Sequence, residues 1–95
     1  MSKFFKLDIV TPVKTFSFDD VTYAKCPGDK GYFGIMKNQT NSIINLTEGV
    51  ISLKLEKEEV RFSCSYGIAD INSDPSDDLE DKVLLLVENA EEIEK

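Results

Sequence analysis

The sequence predicts an all-β fold, a flattened β-sandwich or barrel of about nine to ten short strands with at most a short helical turn at the C-terminal end. Three observations carry this. Apolar residues recur at every second position in segment after segment, the period of a strand with one buried face. Turn-forming residues punctuate the chain at short intervals. Helical spacing is confined to the last eight residues, where Ala90 and Ile93 sit among glutamates.

In chain order, Phe5, Leu7 and Ile9 alternate with Lys6 and Asp8, and Thr11-Pro12 ends that first strand. Lys14 to Phe18 resumes the alternation with Phe16 and Phe18 on one face, and Asp19-Asp20 reads as a turn. Val21 to Cys26, β-branched and aromatic, is a third strand. Ser42 to Leu46 is a short one, closed by Thr47-Glu48-Gly49. Ile51, Leu53 and Leu55 then alternate with Ser52 and Lys54. Beyond the charged turn Glu56-Lys57-Glu58-Glu59, Val60, Phe62 and Cys64 do the same, so the pair reads as a β-hairpin. Tyr66-Gly67 bends the chain into a strand over residues 68–71. Residues 82–87 form a last strand, unbroken in apolar character from Val83, which predicts cover on both faces or on one face plus a partner. The domain spans residues 1–88, with 89–95 as a short tail.

Between the strands over 21–26 and 42–46 lies Pro27-Gly28-Asp29-Lys30-Gly31-Tyr32-Phe33-Gly34-Ile35. Pro27 lacks an N–H and is expected to end the preceding ladder. Gly28, Gly31 and Gly34 each permit φ > 0 or a close backbone approach, and Phe33 and Ile35 lead back into a sheet. So constrained a loop either presents a partner surface or makes a tight connection.

Composition narrows the function. The net charge is −7, and it is uneven: residues 70–95 hold ten acids against two lysines, while residues 1–69 hold eight acids against nine bases. No basic patch interleaved with aromatics exists to neutralise phosphates, which disfavours nucleic acid as a partner. There is no histidine, and Cys26 and Cys64 stand 38 positions apart. That removes the usual zinc sets and every histidine-based relay. With no export signal the two thiols are expected to be free and half-buried. The longest apolar run, Val83 to Val87, falls far short of a membrane span, so the sequence predicts a soluble, cytosolic chain with no direct membrane insertion. Asp70-Ile71-Asn72-Ser73-Asp74 begins like a calcium loop, but Pro75 replaces the turn glycine, Asp77 the apolar eighth position and Asp81 the closing glutamate. Neither a catalytic residue, a metal site nor a cofactor is expected.

The order of these pieces resembles the N-terminal domain of the epsilon subunit of F-type ATP synthases. Phe5 to Pro12 matches the family's F-x-L-x-I-V-T-P-like strand. Phe16-Ser17 and then Cys26 to Ile35 match its short aromatic–serine strand and its V-P-G-x-x-G-x-F-G-I-like loop. Thr47-Glu48-Gly49-Val50-Ile51, Ser65-Tyr66-Gly67 and Val83 to Val87 follow in the family's order. Lys37 to Asn41 departs from the family's P-G-H-A-P segment, Tyr66 replaces the first glycine of S-G-G, and residues 73–81 are a longer acidic insertion. The family's C-terminal helical hairpin, with its inhibitory and nucleotide-sensing roles, would begin where this sequence ends, and neither role is assigned.

The resemblance implies a non-catalytic rotor part of the central stalk in a proton- or sodium-translocating enzyme, on the cytoplasmic side of the inner (plasma) membrane. It would grip the gamma subunit through one sheet face, with contacts at Gln39, Thr40 and Tyr66. It would rest Asp29, Lys30, Gly31 and Tyr32 on the polar loops of the c-ring. The alternative reading is a free-standing adaptor that binds a partner or calcium through the acidic loop 73–81.

Overall fold

Phe5, Leu7 and Ile9 are buried while Lys6 is exposed, so the first alternation becomes one face of a strand, β1 (Phe5–Val10). A computed structural model describes residues 4–37, 42–72 and 82–93. Within them every regular element is a strand: β2 (Thr15–Gly28), β3 (Gly31–Ile35), β4 (Ser42–Leu46), β5 (Gly49–Leu55), β6 (Glu59–Cys64), β7 (Gly67–Asn72), β8 (Lys82–Val87) and β9 (Ala90–Glu92).

The strands run in the order β1-β8-β7-β4-β2-β5-β6-β9, and two further pairings, β1 with β2 and β3 with β2, turn the sheet back on itself. The long strand β2 makes this possible. Its first half pairs with β1, its second half with β3 on one edge and β5 on the other, and Val21 has partners in both β1 and β5. One wall is therefore β4, β7, β8 and β1, the last parallel to β8; the other is β3, β2, β5, β6 and β9. Gly28 pairs with Leu46 and closes the barrel at one end.

The inward residues of both walls form one core that includes Leu7, Ile9, Ile51, Leu53 and Leu85, all sealed from solvent. Phe62 is buried with them, its ring 4.8 Å from that of Phe16 and 6.0 Å from that of Phe18, two half-buried rings packed against the core. Core density of this kind resists deformation, because each side chain has little free volume to move into. Cys26 and Cys64 are free and buried rather than half-buried.

Three local expectations are corrected. Asp19-Asp20 is not a turn: β2 passes straight through it, and register shifts opposite both β1 and β5 absorb the change of partners there. Pro27 does not end the ladder, since β2 continues to Gly28 and the Pro27 carbonyl accepts the Thr47 amide at 2.9 Å. The tail is not helical over 90–92. Ser65 N donates to Asn89 O at 3.2 Å and Ile93 N to Arg61 O at 2.8 Å, which zips β9 onto β6. A segment too short to nucleate a helix gains more from these tertiary bonds.

Candidate partner-binding site

Asp29 and Lys30 form a two-residue turn between β2 and β3, whose flanking residues Gly28 and Gly31 are paired. Gly31 takes φ +116°, a left-handed value that only glycine adopts cheaply. Asp29, Lys30, Gly31 and Tyr32 are all exposed. The hairpin is nevertheless braced. Val50 N donates to the Tyr32 hydroxyl at 3.1 Å, and the Lys25 ammonium lies 5.3 Å from the Tyr32 ring centroid. Pro27 and Tyr32 both close on Gly49, where an added Cβ would stand 2.7 Å from Pro27 Cβ and 2.9 Å from the Tyr32 hydroxyl. The close approach expected of glycine thus occurs at Gly49 as well as in the hairpin itself.

The hairpin and Tyr66 belong to the same end of the molecule. Gly28 pairs with Leu46, Leu46 with Gly67 and Gly67 with Val87, a single row across four strands. Two inter-strand spacings, roughly 10 Å, separate Gly28 from Gly67, the neighbour of Tyr66. Gly67 itself admits no side chain, because the Leu86 carbonyl and Val87 Cα, the latter at 2.8 Å, occupy the space. Tyr66 is 66% exposed and borders a cleft of about 300 Å³ shared with Val10, Pro12 and Leu86. Gln39 and Thr40 lie outside the described residues.

The outer face of the wall containing β8 carries further residues that the sequence did not single out. Its rows follow from the register. Ile43, Asp70, Leu84 and Asp8 make one, and Asn45, Ile68, Leu86 and Val10 make the next, nearer to Tyr66. Charge gathers at the far end, where Lys82 Nζ pairs with Asp8 at 3.4 Å, and apolar groups gather at the Tyr66 end. Beside them Thr11 ties a turn: its hydroxyl donates to Lys14 O at 2.9 Å and accepts from Lys14 N at 3.0 Å, and this turn displays Val13 at 92% exposure. The unbroken apolar run of β8 was the available signal for this face. Only the strand register shows which of its residues face outward.

Burial pushes the Cys26 thiol up to about 12, and burial also raises Cys64, whose Sγ lies 3.7 Å from Thr47 O. Burial thus favours the protonated thiol, the poorer nucleophile, at both positions. Among the described residues no cluster of acidic or cysteine side chains is placed to hold a metal ion. Asp70 and Asn72, the opening positions of the calcium-like segment, are committed to the β7–β8 ladder, and Ser73 to Asp81 lie outside the described residues. Among the described residues no helix is long and apolar enough to cross a membrane.

With this geometry in place, similarity to known proteins is informative. The profile of the ATP synthase delta/epsilon chain beta-sandwich domain matches residues 4–93. The ATP synthase epsilon chain of Desulfosudis oleivorans is 36% identical over 93 residues, 96% of this chain and 64% of that protein. That of Magnetococcus marinus is 31% identical over 84 residues, 56% of its length. This chain thus spans less than two thirds of either. In Chlorobium limicola the epsilon chain is 36% identical over 89 residues, and the match covers 93% of both chains. In fold, the chain superimposes on one from the Euglena gracilis mitochondrial ATP synthase OSCP/F1/c-ring structure, with a TM-score of 0.79 over 97% of its length and 54% of that chain at 15% identity. A chain of the Tetrahymena thermophila central stalk/c-ring structure gives 0.73 over 94% of this chain and 68% of the other, at 13% identity. The chain therefore belongs to the beta-sandwich domain family of ATP synthase delta/epsilon chains.

Proposed function

We propose that this domain is a non-catalytic part of the central stalk of a proton- or sodium-translocating F-type ATP synthase. It sits on the cytoplasmic side of the membrane and couples the gamma subunit to the c-ring. Gamma is gripped by the apolar outer face around Leu86, Ile68 and Val10, with Tyr66 and Val13 at its rim. The Asp29–Tyr32 hairpin rests on the polar loops of the c-ring.

The single observation behind this reading is the row Gly28–Leu46–Gly67–Val87, which ties the braced hairpin to the apolar face through one hydrogen-bonded sheet. A body that passes torque between two partners needs such a connection, because a flexible joint would dissipate it. Apolar rows bordered by an exposed tyrosine also suit a protein interface, where aromatic anchors are enriched.

The test is co-purification. Tagged protein should carry gamma and c-ring subunits in mild detergent, and Leu86→Asp should release gamma while the domain stays folded by circular dichroism. Recovery of no ATP synthase subunit with the folded wild-type protein would end the proposal.

A further inference from the structure

The cleft beside Tyr66 has room for one long side chain. Val10, Pro12 and Leu86 give it apolar walls, and Tyr66 and Glu88 line it too. At about 300 Å³ it stands at the lower end of the range that holds small ligands. Glu88 N donates to Tyr66 O at 3.2 Å, which extends the Gly67–Val87 register by one residue. Tyr66 and Glu88 are therefore cross-strand neighbours, with Cβ atoms about 5 Å apart, within reach of a single group. The far side of the cleft is held as well. Val13 N donates to the Thr11 hydroxyl at 3.3 Å and Lys14 N does so at 3.0 Å, which fixes the turn that carries Pro12.

Glu88 is the charged residue of this cleft; it is exposed and has no ion-pair partner among the described residues. The cations of the neighbourhood are engaged elsewhere. Lys14, on the adjoining turn, places its ammonium 4.8 Å from the Phe16 ring centroid, and Phe16 packs against the core. Lys82 lies six residues back along β8, roughly 20 Å away, and pairs with Asp8 at 3.4 Å. Lys6 is the register partner of Lys82 and shares that distant row. On the hairpin at the Tyr66 end, Asp29 and Lys30 offset each other. The other charged residues of the face, Asp8 and Asp70, and Glu48 in the turn after β4, are acids. The cleft thus joins apolar walls to a negative rim.

Resting on the stalk reading above for the partner's identity, we infer that this cleft anchors the apolar face and takes an arginine side chain of gamma. Charge complementarity and shape select that occupant. The methylenes of arginine lie along Val10, Pro12 and Leu86, as long cationic side chains do on apolar surface. Its guanidinium stacks on the Tyr66 ring and donates to the Glu88 carboxylate, a geometry that its planar fork fits better than the ammonium of lysine. A phenylalanine in the same place would cover Glu88 without pairing it, which is costly. Because Tyr66 and Glu88 are placed by backbone bonds before binding, less ordering cost falls on the contact.

Two measurements test this. In the first, the full chain is titrated by NMR with the blocked tripeptides Gly-Arg-Gly, Gly-Lys-Gly and Gly-Phe-Gly. The arginine peptide should shift the amides of Tyr66, Gly67 and Glu88 with a dissociation constant on the order of millimolar, several-fold tighter than the other two, and salt should weaken it. In the second, labelled chain is bound to an ATP synthase complex that contains gamma and has been stripped of its own copy. Glu88→Gln should bind about fivefold more weakly and with less salt dependence, and Tyr66→Ala about tenfold more weakly. Tyr66→Phe, which keeps the ring, and Glu58→Gln, on the distant β5–β6 turn, should bind like wild type; circular dichroism checks that all four fold. An arginine peptide that binds no better than the phenylalanine one, or Glu88→Gln that binds the complex as tightly as wild type, would overturn the inference. Wild-type chain that takes the arginine peptide but not the complex would instead overturn the stalk reading, and with it gamma as the source of the arginine.

Discussion

The Tyr32 hydroxyl accepts the Val50 amide at 3.1 Å, across eighteen residues of sequence, and so fastens the tip of the glycine hairpin to the start of β5. An exposed turn would otherwise be the softest part of a small β domain. Here Pro27 and the Tyr32 ring close over Gly49 and leave the hairpin little room to swing. Tyr32→Phe should keep the ring and lose the bond, lowering stability by about 0.5–1.5 kcal/mol. Gly49→Ala should cost about 1–3 kcal/mol, because the new methyl has to displace both neighbours. Urea denaturation of the two variants checks both values and their order.

The tail should behave as part of the sandwich. Ending the chain at Glu88 removes β9 and uncovers the edge of β6, where Phe62 and Cys64 lie. The bonds lost include Ser65 N to Asn89 O and Ile93 N to Arg61 O, so the truncated protein should be roughly 1–3 kcal/mol less stable. Hydrogen exchange should quicken first at the amides of Ser65 and its β6 neighbours.

Alkaline pH should expose the buried thiols. Cys26 is raised from an ordinary 9.0 to about 12 by burial, so the folded protein keeps a proton that the unfolded chain gives up. Stability from this group is intact below pH 9 and falls between 9 and about 12, by up to about 1.4 kcal/mol per pH unit. Burial of Cys64 acts in the same direction. The slope of unfolding free energy against pH should be shallower in Cys26→Ala than in wild type. Thiol reagents at neutral pH should label the native protein only as fast as it opens.

Neutralising the acids of residues 73–81 separates the stalk reading from an adaptor that works through that segment. Replacement of each Asp by Asn and each Glu by Gln there should leave co-purification with gamma unchanged. In a free-standing adaptor the same replacement should instead abolish binding of the partner or calcium held by that segment.

Much of this architecture was legible in the sequence, because period-two alternation fixes which residues face inward. Leu7, Ile9, Ile51, Leu53 and Phe62 are buried as their spacing predicts. Four features were not legible, and each depends on a distant partner. The passage of β2 through Asp19-Asp20 depends on Val21 having neighbours in both β1 and β5. Strand β9 exists because β6 offers it an edge. The outward row of Leu86 becomes a surface only when neighbouring strands set its register, which no local pattern encodes. Tyr66 and the hairpin are 34 or more positions apart in sequence, and only the pairings of Leu46 bring them to one end.

The most direct test of the coupling role is site-directed photocrosslinking in the assembled enzyme. Cys26 and Cys64 are buried, so a thiol introduced at an exposed position can be labelled selectively. A photoprobe on Leu86→Cys should crosslink to gamma, and one on Asp29→Cys should crosslink to subunit c. Products from the two positions that fail to divide in this way, or a gamma adduct only from Lys54→Cys on the opposite wall, would contradict a domain that joins the two rotor partners through one rigid sheet.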